Sequence, residues 1–184
     1  VLIAFLMGLS IGVHLLNLLT LPSVVLVYYF RKYEFTWKGF MISLGISFLL
    51  LGLLLYGIMP GFVTISSKLD MFFVNRLGFP VNSGMIFHFI LLIVFFVLAI
   101  RSTFSSSDKV KTAIFAAGAL LLTGMWVISG SAILNLLVLA GVGGYIWYLA
   151  GKKRVVLNTL LTAVMVIMIG YSSNAIIVIG ATAN

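Results

Sequence analysis

The sequence predicts an all-α, polytopic transmembrane helical bundle of about six spans with one amphipathic helix in the outer interface. Three observations predict it. Hydrophobic residues make up 63% of the chain and charged residues 8%, with a mean hydropathy of +1.30, whereas about a quarter of a soluble domain is charged. The apolar residues form continuous runs and not the roughly ten-residue alternating segments of a membrane β-barrel. The 11 Lys+Arg, set against 3 acids for a formal charge of +8, fall mostly in short loops between those runs. In a soluble protein that excess would call for a nucleic-acid surface, but topology determinants have this placement and no basic-aromatic face is built, so the partner assigned is the lipid bilayer and not nucleic acid. The chain has no cysteine, which excludes disulfides and thiolate metal sites.

The first apolar run, Val1 to Phe30, would be about 45 Å long as one helix against a hydrocarbon core of about 30 Å. It must tilt, extend past the membrane or break, and Pro22 is the predicted kink. A second span runs from about Phe40 to Met59 and is expected to close at Pro60-Gly61. Between Gly61 and Pro80, the residues Phe62, Ile65, Leu69, Phe72, Phe73 and Leu77 recur at helical spacing, with Thr64, Ser67, Lys68 and Asn75 on the other face. That pattern fits an amphipathic helix lying in the interface, or equally one covering the ends of the bundle. The third span covers about Gly84 to Ile100, the fourth about Val110 to Ile128 and the fifth about Ala132 to Leu149. The last two are joined only by Ser129-Gly130-Ser131, which implies an antiparallel hairpin. The sixth covers about Val155 to Ile179, so residues 1–184 read as a single transmembrane domain. The chain opens at Val1 inside an apolar run, without a basic leader or cleavage site, and the expectation is an internal fragment of a longer protein.

Charge then orients the bundle. Arg31, Lys32, Lys38, Arg101, Lys109, Lys111, Lys152, Lys153 and Arg154 lie in loops of one side, and only Lys68 and Arg76 in the loop of the other. The positive-inside rule puts the larger group in the cytoplasm and both ends of the chain outside.

Polar groups inside spans mark either interhelical hydrogen bonds or functional sites. Ser10, His14 and Asn17 share one stripe of the first helix by their i, i+4, i+7 spacing. His88 lies about a turn into the third span, and Tyr171, Ser172, Ser173 and Asn174 lie in the outer third of the sixth. A hydrogen bond between helices accounts for each taken alone; their common depth points to an outward-facing polar cavity. Two distant histidines without a neighbouring carboxylate do not support a metal site, and the chain has no nucleophile elbow, phosphate-cradling loop or carboxylate pair. Of the acids, Glu34 and Asp108 fall among basic loop residues, and Asp70 stands on the outer side within reach of Lys68 or Arg76. Small residues, including the Gly8/Gly12 pair, let helix backbones approach closely.

The stretch Gly8-Leu-Ser-Ile-Gly-Val-His14-Leu-Leu-Asn17-Leu-Leu with Val27-Tyr-Tyr-Phe-Arg-Lys32, the segment Leu77-Gly-Phe-Pro-Val-Asn-Ser-Gly84 and the closing Gly170-Tyr-Ser-Ser173 resemble the bacterial membrane-protein family catalogued as domain of unknown function 2723. That family is related to the transmembrane protein 260 type O-mannosyltransferases. The sequence departs from the family pattern at Asn174 and Gly180. The resemblance implies a glycosyltransferase of the C-type fold in the bacterial inner membrane. Such an enzyme takes a sugar from a polyprenyl-phosphate carrier on the outer, periplasmic face and passes it to Ser or Thr of a translocated acceptor protein. It further implies that the main catalytic acid lies before Val1, and that any divalent metal finds no support in this chain. His14, Asn17, Arg76, His88 and Tyr171 become candidates for contact with the carrier or sugar. The competing expectations are a transporter or flippase segment and a structural subunit of a cell-envelope complex.

Overall fold

The computed structural model describes residues 1–13, 18–105, 108–127 and 132–182, the side chains of 11–13 and 173–182 excepted. Every regular element among the described residues is helical: α1 (Leu2–Val13), α2 (Thr20–Lys32), α3 (Trp37–Gly52), α4 (Met59–Leu77), α5 (Ser83–Ser105), α6 (Lys109–Leu122), α7 (Ala132–Lys152) and α8 (Arg154–Thr182). A π-helical stretch, Leu53–Ile58, joins α3 to α4. Four helices among the described residues are long and apolar enough to cross a membrane, namely Trp37–Leu77, Ser83–Ser105, Ala132–Lys152 and Arg154–Ser172.

Two expectations about helix breaks are corrected. Pro60 does not close the second span, because the helix runs on through it as one rod of 41 residues. A proline in an α-helix lacks the N–H that would bond four residues back, and its ring presses on that carbonyl. The π register just before it widens the turn, with the Met59 N–H reaching Leu54, and so absorbs the misfit. Pro22, in turn, does not mark the break in the first apolar run. It occupies the first turn of α2, which begins at Thr20 two residues before it, where no amide partner is needed. The fourth apolar run gives a helix of 14 residues that ends in a turn through Gly124 at φ +75°, a conformation that favours glycine. The Ser129-Gly130-Ser131 connection lies outside the described residues.

Side-chain caps set other ends. Thr36 accepts from the Gly39 amide to begin α3, and Asp108 accepts from Val110 and Lys111 to begin α6. Gly78, left-handed at φ +69°, ends α4, with the Phe79 and Gly78 amides turned back to Phe73 and Val74.

Three contacts gather the end of α5, the start of α6, the end of α7 and the start of α8. Thr112 Oγ1 donates to the Ser102 carbonyl (3.3 Å), Asn158 Nδ2 donates to Thr103 Oγ1 (2.7 Å), and the Lys109 ammonium sits 4.1 Å above the Trp147 ring. Arg101, Lys109, Lys111, Lys152, Lys153 and Arg154 therefore share one end of the bundle. The core between helices is apolar, with Leu92, Phe96, Ala99, Ala116, Ala119, Leu157 and Leu161 buried along α5, α6 and α8. Elsewhere α1 packs on α8 backbone to backbone. A Cβ on Gly8 would meet the Ile167 carbonyl, and one on Gly170 would meet the backbone of Phe5 and Leu9, so glycine is what permits the crossing.

Candidate functional site

The end opposite the basic one is assembled around α4. Its buried stripe is Met59, Phe62, Ser66 and Asp70, spaced three and four residues apart. This is not the apolar stripe the sequence suggests. Of the six residues of that stripe only Phe62 is fully buried, while Phe72 and Leu77 are exposed. Two polar residues turn inward in their place, because each finds a partner on α5.

Ser66 meets His88. The Ser66 hydroxyl lies 2.6 Å from His88 Nδ1, and His88 Nε2 lies 2.9 Å from the Leu122 carbonyl at the end of α6. A carbonyl only accepts, so Nε2 carries the proton; in the neutral ring Nδ1 then accepts from the Ser66 hydroxyl. Phe62 stacks on the imidazole with ring centroids 5.0 Å apart. Leu122 ends its helix, and its carbonyl is one that has no partner within α6. His88 thus joins α4, α5 and the end of α6, and it is wholly buried in doing so.

Asp70, one turn further along α4, accepts from the Asn82 amide through Oδ2 (3.0 Å) and from the Gly84 amide through Oδ1 (2.9 Å). It serves as a cap for α5 supplied from another helix. Its carboxylate is committed to these amides and not to Lys68 or Arg76, since two fixed N–H groups inside the protein hold it better than mobile surface cations do. Gly84 makes this fit, because a Cβ there would meet the Asp70 backbone. Further along, Gly61 and Gly124 press backbone on backbone, which brings α4 across the end of α6. Every one of these anchors lies at or just before the first turns of α5, or at the end of α6 and the turn that follows it, so α4 is fastened to the end of the bundle opposite the basic residues.

Arg76 is exposed near the C-terminus of α4. Tyr171 is buried on α8, next to the Gly170 that packs on α1. His14 and Asn17 lie outside the described residues, as do the side chains of Ser173 and Asn174. No group of three or more His, Cys, Asp or Glu able to hold a metal ion occurs among the described residues.

Residues 1–38 match the family model of the Protein O-mannosyl-transferase TMEM260 N-terminal domain. This segment comprises α1, α2 and the start of α3, and contains His14 and Asn17. No curated protein and no solved structure matches the chain. Sequence reasoning singled out His88 and Asp70 but missed Ser66, and it expected Lys68 or Arg76 where Asp70 holds the Asn82 and Gly84 amides. The signal was present as the i, i+4, i+8 spacing of Phe62, Ser66 and Asp70, obscured by a stronger apolar stripe on the same helix.

Proposed function

We propose that this chain forms part of the membrane region of a protein O-glycosyltransferase that draws its sugar from a polyprenyl-phosphate carrier and acts on the outer face of a bacterial inner membrane. The observation that carries the reading is the match of residues 1–38 to the O-mannosyltransferase N-terminal domain. The four helices of spanning length and apolarity support the membrane setting, and the collection of basic residues at one end supports that end as cytoplasmic. The opposite end, to which α4 is fastened, is then the outer one, and α1–α2 and α6 complete about six crossings.

In this reading the carrier is taken up beside the first apolar run, where Ser10, His14 and Asn17 recur in the sequence at the i, i+4, i+7 spacing of one helical stripe. His14 and Asn17 contact the sugar or phosphate, and Arg76 supplies a guanidinium that matches phosphate bidentately. Tyr171 closes the site from α8. His88 acts from further back, holding α4 in place through Ser66, since both of its ring nitrogens are already bonded within the protein. The deciding experiment replaces His14 by Ala in the full-length protein and assays sugar transfer to an acceptor peptide. Loss of transfer with the protein still folded supports the reading, and unchanged turnover removes His14 from it.

A second reading, a structural subunit of a cell-envelope complex, draws on the close packing around His88. It expects His14→Ala to leave transfer untouched and to weaken a partner contact instead.

A further inference from the structure

The basic end holds a groove that the proposed transfer chemistry does not use. It is a cavity of about 350 Å³ between the last turns of α5 and the first turns of α6, lined by Leu98, Arg101, Ser102, Ser105, Lys111 and Phe115. The lining is graded along the helices. Arg101, Ser105 and Lys111 lie toward the helix ends, while Leu98 is three residues inward of Arg101 and Phe115 four residues inward of Lys111. One helical turn of depth thus separates a cationic mouth from an apolar floor.

The two cations are available. Among the described residues, neither the Arg101 guanidinium nor the Lys111 ammonium is engaged in a hydrogen bond or ion pair, and both residues are exposed. Asp108, the acid beside them in sequence, directs Oδ1 to the amides of Val110 and Lys111. The walls are fixed. Ser102 is tied to α6 by the Thr112 hydroxyl, and Thr103 to α8 by Asn158. The surroundings are those of a membrane interface: Phe104, at the end of α5, is 79% exposed, and Trp147 and Tyr148 flank Lys109 and Lys152.

We propose that this groove binds the phosphate of an anionic phospholipid, with Arg101 and Lys111 on the phosphate and the first acyl carbons against Leu98 and Phe115. A guanidinium and an ammonium converging on one opening suit a phosphate oxyanion, and an apolar floor one turn deeper suits the chain attached to it. A free phosphate satisfies only the mouth. Juxtamembrane Lys and Arg attract anionic lipid at about 1 kcal/mol each, which for the pair is roughly a thirtyfold preference.

The test is native mass spectrometry of the full-length protein released from nanodiscs of mixed phosphatidylglycerol and phosphatidylcholine, comparing wild type with Arg101→Gln/Lys111→Gln. Wild type is expected to retain one phosphatidylglycerol that the double variant loses by at least roughly tenfold. A control pair at the same end, Lys152→Gln/Lys153→Gln, is expected to retain it. Ser105→Glu, which places an anion in the mouth at an exposed position, is expected to expel the lipid without changing the melting temperature. Equal retention by wild type and the double variant overturns the proposal, as does equal loss in the control pair, which marks a diffuse surface attraction. Displacement of the lipid by millimolar inorganic phosphate alone overturns the lipid as occupant, because the apolar floor then contributes nothing.

Discussion

The two ends of the bundle handle ionisable groups in opposite ways. At the basic end the charged Arg101, Lys111 and Lys152 stay exposed and Lys109 lies over the Trp147 ring, while the neutral Ser102, Thr103 and Thr112 are buried and hydrogen-bonded. At the other end, Ser66, Asp70 and His88 are buried and each is bonded to a backbone group or to one another. The difference teaches that buried and exposed polar residues have different employment. Buried ones hold helices together, because an unsatisfied group there is expensive; exposed ones are left for ligands and for orientation in the membrane.

The comparison breaks most severely at Asp70. Replacing Asp70 by Ala leaves the Asn82 and Gly84 amides without their acceptor at a buried helix start, a loss of about 3 kcal/mol from a cap and two stranded donors. Asp70→Asn, whose amide oxygen still accepts, is expected to lose less. Unfolding of the full-length protein in mixed micelles by SDS titration measures both. Equal stability of wild type and Asp70→Ala would show that the cap is water-accessible and that the two ends do not differ as described.

His88 comes next. His88→Phe keeps a ring against Phe62 but abandons Ser66 and the Leu122 carbonyl. Interhelical hydrogen bonds within membranes are worth about 0.6 kcal/mol each on average, so the loss is expected near 1 to 2 kcal/mol. A double-mutant cycle with Ser66→Ala isolates the Ser66 bond. A coupling indistinguishable from zero would mean that the stack, and not the hydrogen bonds, holds α4 to α5.

How much of this was legible beforehand differs between the same two ends. The basic end was readable because charge in a loop is a one-dimensional signal. The positions of Arg101, Lys109, Lys111 and Lys152 to Arg154 between apolar runs imply their convergence without knowledge of packing. The apolar runs likewise marked α5, α7 and α8 to within a few residues, and the start of α3 but not its end. The opposite end was not readable in the same way. Which face of α4 turns inward depends on Gly61 meeting Gly124 and Gly84 meeting Asp70, contacts between residues far apart in the chain. The apolar count along α4 favoured a different face, since Phe72 and Leu77 add hydrophobicity without being buried. The continuation of the helix through Pro60 was hidden for a similar reason: proline signals a break locally, and only the π register of Leu53–Ile58 removes it. His88 was correctly singled out as a polar residue in need of a partner, but its partners Ser66 and Leu122 could not be chosen from spacing.

At the basic end a comparable substitution is expected to matter less. Lys109→Gln removes the ammonium above Trp147, a cation–π contact worth about 0.5 to 1 kcal/mol at an exposed site. Trp147→Leu should give a loss of similar size, and the two together little more than either alone, as coupled partners do. Additive losses in the SDS titration would show that Lys109 and Trp147 act separately and that the cation–ring contact does not help join α6 to α7.

The smallest effect on stability, and the sharpest on function, is expected at Arg76. It is an exposed residue on α4, near the end where the other polar groups are committed to the fold. Arg76→Ala should therefore change stability by no more than about 0.5 kcal/mol, as surface substitutions do. If Arg76 is the phosphate partner of the proposed carrier site, sugar transfer to an acceptor peptide falls roughly tenfold in the full-length variant, the cost of one charge-assisted hydrogen-bond pair. Arg76→Lys recovers only part of that, because an ammonium lacks the planar fork. Lys68→Ala on the same helix serves as the control for bulk charge. A parallel fall in both variants would assign the effect to net charge at this end, and an unchanged rate for Arg76→Ala would remove Arg76 from the site while leaving the architecture of the end intact.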